Sequence, residues 1–205
     1  TLMEESTESA GSQRVLDLSE VSAAHAELAG GKMANLSEVA NVLGLPTPDG
    51  MVITTEGFRE LVEKGGIRSW IQDKHLQIEP PHDIDRISEE LRDRILDLEV
   101  PSELQEEILA GYDRLAQRAG KPVPVAVRSS AVGEDSDFSF AGQFLSVLNV
   151  RREDLAGAYL RVAASLYSTE AMYYRFLHTI PGESAQMAVG CIGMVDAAAS
   201  GVVFS

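Results

Sequence analysis

Val123-Pro124-Val125-Ala126-Val127-Arg128-Ser129-Ser130-Ala131-Val132-Gly133-Glu134-Asp135, followed by Ser139-Phe140-Ala141-Gly142-Gln143, decides how this chain is read. A short apolar strand, Val123 to Val127, ends in the guanidinium of Arg128. Small, hydroxyl-bearing and glycine residues come next. A planar five-donor fork on a rigid strand end suits the non-bridging oxygens of a phosphate. Small residues beside it let backbone N–H groups approach the same anion. The plainer alternative is a strand-to-loop junction in which Arg128 pairs with Glu134 or Asp135.

Outward from this run, the pattern alternates helix and strand without strict regularity. Phe144 to Val150 is strand-like, with Leu145, Val147 and Asn149 on one face and Ser146, Leu148 and Val150 on the other. Arg151 to about Leu177 reads as one long helix or two consecutive ones. Gln186 to Val195 and Ser200 to Phe204 are strand candidates around an Asp196-Ala197-Ala198-Ala199 turn. Upstream, Val15 to Leu18 and Gly50 to Ile53 are short strands. Lys32 to Leu43 shows helical spacing at Met33, Leu36, Val39, Ala40 and Leu43, and Gly44-Leu45-Pro46 stops it. Thr54 or Thr55 can cap a helix that buries Phe58, Leu61 and Val62 and ends at Gly65-Gly66. Ile67 to Glu79 reads as a helix with a polar tail. Ile84, Ile87, Leu91, Ile95 and Leu98 form a clear helical stripe. Ser102 with Gln105 is a capping box for a helix reaching Ala119. The order β-α-β-α, several helices, then β-β-α-β-β predicts a mixed α+β domain, not a doubly wound parallel sheet.

Residues 1–13 are polar and read as a flexible leader; 14–205 form the folded part. The chain of 205 residues is 44% hydrophobic, enough for a real core. The longest apolar candidate, Met187 to Val195, falls well short of the ~18 residues of a membrane span. Cys191 is the single cysteine, so an internal disulfide and a multi-cysteine metal site are excluded. A buried, inert thiol is the expectation. The net charge of −15 argues against nucleic-acid binding through a broad basic surface. A few focused cations can still hold a triphosphate. The expectation is therefore a cytoplasmic protein that binds neither membrane nor nucleic acid.

Gly30-Gly31-Lys32 opens a helix. Two glycines permit unusual backbone angles, and a helix N-terminus offers unpaired N–H groups and a positive dipole end to an anion. The Walker A spacing is absent. A glycine turn with a surface lysine is the plainer alternative. Two separated phosphate-suited elements in one domain shift the balance, because Lys32 and Arg128 can converge on one polyphosphate. Phosphoryl transfer is mostly positioning and electrostatics, which calls for such cations. His25, His75, His82 and His178 lack metal-ligand spacing. Tyr167, Tyr173, Tyr174 and Phe176 read as core or helix interface.

Three ordered blocks resemble the start of the phosphoenolpyruvate synthase and pyruvate, phosphate dikinase family. They are Gly30 to Leu36 with Gly44 to Thr55, Val127 to Gln143 with Leu148-Asn149-Val150 behind it, and Met187 to Phe204. The resemblance implies a partial ATP-grasp-type nucleotide-binding domain with a mixed sheet and flanking helices. In that family ATP's β-phosphate goes to a carrier histidine on a separate domain, giving AMP and phosphate. The phosphohistidine then phosphorylates pyruvate, while relatives pass the group to rifampin or starch glucans. By resemblance, Lys32 and Arg128 are the phosphate-contacting pair with a catalytic role, Gly142 belongs to the loop over the phosphates, and Ser146 lies near the nucleotide. ATP with Mg2+ is the implied cofactor, with the acidic metal ligands expected beyond this chain. Pyruvate or another acceptor would reach the site through other domains, and oligomerisation is left open. The strand end at Ser205 suggests truncation within a larger fold. Two departures stand out. Met33 occupies a position where a small residue is usual and is expected to crowd the turn. Ile192 replaces a glutamine that contacts the nucleotide, and losing one such hydrogen bond weakens binding by ~1 kcal/mol. A degenerate, non-catalytic module for nucleotide sensing or partner docking is the alternative function.

Overall fold

The computed structural model describes residues 13–79, 82–131, 144–179 and 185–201. Among these residues five strands form one sheet: β1 (Val15–Asp17), β2 (Gly50–Ile53), β3 (Val125–Ala131), β4 (Ser146–Val150) and β5 (Met187–Gly193). Their spatial order is β1-β2-β5-β3-β4, and every described pairing is antiparallel. The α+β class is as expected, and among the described residues all strand pairings of the sheet are antiparallel. β5, the last of the described strands in sequence, inserts between β2 and β3 and joins the two halves of the sheet.

Among the described residues, seven α-helices accompany the sheet: α1 (Ala26–Asn41), α2 (Thr55–Lys64), α3 (Arg68–Leu76), α4 (Ile84–Leu96), α5 (Ser102–Ala119), α6 (Leu155–Ala164) and α7 (Thr169–Leu177). The segment read as one or two helices after Arg151 is two, with Ser168 capping the second by accepting the Ala171 N–H at 3.2 Å. Strand periodicity sorts the sheet residues onto two faces. On one face Met51, Ile53, Val125, Val127, Val189 and Cys191 join the larger core under α2, α4, α5, α6 and α7. Burial pushes the Cys191 thiol up to about 12, as suits the inert thiol expected from the sequence. On the other face Leu16, Val52, Ala188 and Ile192 pack with Ala29 and Met33 of α1 in a smaller core. The broad core face is closed by many helices, whereas the second face is covered by one.

Several local readings are corrected. β3 starts at Val125, two residues late, and runs on through Ser129-Ser130-Ala131. Pro124 donates no N–H, and β5 pairs with the strand as far as Ala131, which extends it past the apolar run. In β4, Asn149 takes a left-handed φ of +57° and the register with β3 shifts between Val125 and Val127. This bulge puts Val150 opposite Val125 and Val147 opposite Val127, so both share the core face and strict alternation is lost. Thr54 stands at the α2 N-cap, but its hydroxyl donates to the Gln13 carbonyl at 2.9 Å and caps nothing. The Ser102 capping box does not form, because Pro101 takes the cap position and its carbonyl accepts the Gln105 N–H at 2.9 Å. Phe176 is half exposed and not core. Of the expected final strand, Ser200 and Gly201 are irregular and 202–205 lie outside the described residues.

Charged clamps hold the sheet edge to the helices. Asp17 of β1 accepts from Arg114 and Arg118 of α5, at 2.9 Å and 2.7 Å, and Arg118 also reaches Asp49. Arg14 bridges Glu60 of α2 and Glu107 of α5. Burial pushes the Asp17 and Glu60 carboxyls up, but the cations beside them outweigh it and hold both below the usual carboxylate range. Carboxyls with depressed folded-state values stabilise the fold fully above their unfolded values, and the contribution fades as pH falls through the folded ones. The urea midpoint should therefore be flat between about pH 7 and 5 and drop below about pH 4. Asp17→Asn should flatten part of that drop; an identical acid limb in the variant would remove Asp17 from the account.

Candidate functional site

The site is built on the second sheet face, beside the edge of α1. Arg128, Ser130 and Ala126 alternate onto this face of β3. Directly paired residues in an antiparallel ladder share a face. Arg128 is paired with Gly190 of β5 on one side and Ser146 of β4 on the other. Arg128 and Ser146 are both exposed. Two of the sequence-predicted residues, Arg128 and Ser146, are thus side by side on one exposed stretch of sheet.

Lys32 arrives from the start of α1. Gly30 interrupts that helix with φ +71° and ψ +158°, a combination essentially confined to glycine. The regular body of the helix therefore begins after Gly30, and Lys32 lies in its first turn and is exposed. A helix's first turn is where its positive dipole end lies. The kink is pressed onto β3: a side chain at Gly30 would meet the Ser130 carbonyl oxygen at 1.9 Å. The Met33 N–H donates to the Ser130 hydroxyl at 3.2 Å. Ser130 is fully buried, so its hydroxyl holds the helix and does not face solvent. Gly142, Glu134 and Asp135 lie outside the described residues.

Met33 does not crowd the turn. It is buried with its thioether over Gly190, where a side chain on the glycine would meet Sδ at 2.3 Å. The absent side chain of Gly190 makes the room. Ile192 is also buried, packed beside Gly50 in the small core with Met33, Val52 and Ala188. It offers this face hydrocarbon where an amide would offer hydrogen bonds. Sequence reasoning missed Ser130 as a helix anchor and Gly190 as a spacer. The available signal was a glycine in a strand interior, which marks close approach of another element.

Two of the four histidines have local contacts: His25 Nδ1 lies 3.0 Å from the Ser22 hydroxyl, and the His178 ring packs on Tyr174. Among the described residues, no group of three or more His, Cys, Asp or Glu gathers as a metal site, and no helix is long and apolar enough to cross a membrane.

The pyruvate phosphate dikinase, AMP/ATP-binding domain family matches residues 26–205, the whole of the sheet from β2 onward together with α1. This chain belongs to that family. Among the dikinase-family relatives, a probable phosphoenolpyruvate synthase of Methanothermobacter thermautotrophicus is 37% identical over 87% of this chain and 27% of its own length. The phosphoenolpyruvate synthase of Aeropyrum pernix is 37% identical over 93% of this chain and 24% of its own. The rifampicin phosphotransferase of Bacillus cereus is 33% identical over 93% of this chain and 22% of its own. The chain spans about a quarter of the length of these relatives.

Proposed function

We propose that this chain forms one wall of an ATP site in a phosphoenolpyruvate synthase or pyruvate phosphate dikinase-like phosphotransferase. In this reading Lys32 and Arg128 neutralise the phosphate oxygens, and Ser146 adds a hydroxyl beside Arg128. Gly142 belongs to the loop over the phosphates. The phosphoryl group passes from ATP to a carrier histidine on another domain, and then to pyruvate or a related acceptor. Mg2+ would come with the nucleotide, held by carboxylates elsewhere. The observation that carries the proposal is the convergence of two phosphate-suited elements, distant in sequence, on one open sheet face. Arg128 pairs with Gly190, and Gly190 makes room for the helix turn that carries Lys32.

The test is ATP affinity of the full-length protein by calorimetry. Lys32→Ala and Arg128→Ala should each weaken binding by about tenfold or more, the scale of one charge-assisted contact. Unchanged affinity in both variants would overturn the assignment. The buried Ile192 favours a second reading, a nucleotide-sensing module without phosphotransfer. The two separate on one measurement: radiolabel from ATP appears on a histidine of the full-length protein only if it is an enzyme.

A further inference from the structure

We propose that Ser130 is the positioning residue for Lys32, acting as a helix cap supplied by the neighbouring strand. The inference rests on the nucleotide-site reading of Lys32 and deepens it. The regular part of α1 starts after Gly30, and an ordinary helix of this kind draws its cap from its own preceding residue. Gly30 has no side chain to give. The missing acceptor comes instead from β3, where the Ser130 hydroxyl takes the Met33 N–H at 3.2 Å.

The same residue acts twice. Its backbone carbonyl fills the space on which Gly30 lies, and its side chain holds the N–H three residues further on. Lys32 sits between those two fixed points. Ser130 is also two residues from Arg128 on the same strand face, so one strand sets both cations. Its side chain is fully buried, which leaves it no route to the nucleotide itself. An alanine at 130 would keep the ladder partner Ala188 but strand the Met33 N–H without its acceptor. The helix start would then loosen or turn toward water, and Lys32 would lose its fixed bearing on Arg128.

The test is a double-mutant cycle on ATP affinity in the full-length protein, with hydrogen exchange at the Met33 amide as a second readout. Ser130→Ala should weaken ATP binding about fivefold, the scale of one neutral hydrogen bond, and speed exchange at Met33 while the β3–β5 amides stay protected. In a Lys32→Ala background the same substitution should change affinity little, because nothing is left to position. Equal losses in both backgrounds would show a merely structural role and overturn the inference, as would unchanged affinity in Ser130→Ala alone. Ser130→Cys, similar in size and a weaker acceptor, should fall between serine and alanine; it takes over the cycle, by the same criteria, if Ser130→Ala does not fold. If Lys32→Ala by itself leaves ATP affinity unchanged, Lys32 takes no part in the nucleotide site, and this inference fails with it. Loss with Lys32→Ala but additivity with Ser130→Ala sinks only the positioning role.

Discussion

Gly30→Ala is expected to weaken ATP binding by at least about tenfold and to destabilise the protein by about 3 kcal/mol, from backbone strain and overlap together. Two independent costs meet at one position. The backbone there lies at φ +71° and ψ +158°, which a residue with a β-carbon avoids. The added carbon would also sit 1.9 Å from a backbone oxygen of Ser130, and 2.4 Å from its hydroxyl oxygen. A flexible side chain could swing aside, but a strand carbonyl inside a sheet cannot. The helix turn must therefore lift off β3, and the anchor at Met33 goes with it. The measurement is paired: urea unfolding for stability and calorimetry for ATP. Gly44, also at positive φ but open on all sides, is the control, and Gly44→Ala should cost only the strain of its own backbone and leave ATP affinity unchanged. Full retention of affinity in Gly30→Ala would mean that the kink does not set Lys32.

Leu91→Ala should destabilise the fold by about 3 kcal/mol without touching nucleotide affinity in the folded protein. Leu91 is fully buried on α4, in the stripe with Ile84, Ile87 and Ile95. That helix packs on α6 and α7, on the far side of the sheet from the candidate site. Ser88, on the same buried face, donates to the Tyr167 carbonyl at 2.6 Å and fixes the helix to the turn between α6 and α7. A polar anchor of this kind limits how far α4 can settle into a void, so the truncated site keeps much of its cavity and the cost stays near the middle of the usual range. For a chain of this size, the melting temperature should fall by roughly 6–12 °C. A loss below about 1 kcal/mol would show that α4 repacks freely. A fall in ATP affinity at low temperature would show instead that the two faces of the sheet are coupled. Together with Gly30→Ala, the pair separates stability carried by the large core from order carried by the small one.

The helix stripes were legible because their period is local. Ile84, Ile87, Leu91 and Ile95 read as one face of a helix from spacing alone, and α4 buries them all. Lys32 and Arg128 could be named as candidates for a similar reason: a glycine pair before a lysine and an arginine closing an apolar run are local chemical signals, although β3 runs on past Arg128 to Ala131. The caps were less so. Thr54 and Ser102 carry suitable hydroxyls, yet one bonds a distant carbonyl and the other is displaced by its proline neighbour. A hydroxyl takes the nearest good partner in the folded protein, and sequence spacing does not reveal which that is. The bulge at Asn149 was hidden too, because it appears only when β4 is aligned against β3.

The sequence by itself determined the class of the fold, its apolar stripes and the family resemblance, and it named Lys32 and Arg128 as candidates. All of these depend on residue type and spacing along a short stretch. Only the tertiary structure decided that β5 threads between β2 and β3, that Arg128 lies between Gly190 and Ser146, and that Met33 is accommodated and not crowded. Each of those depends on which backbone passes close to which, across tens of residues. Arg128 could be named from its own strand, but what stands on either side of it comes from strands that lie before and after it in space, not in sequence.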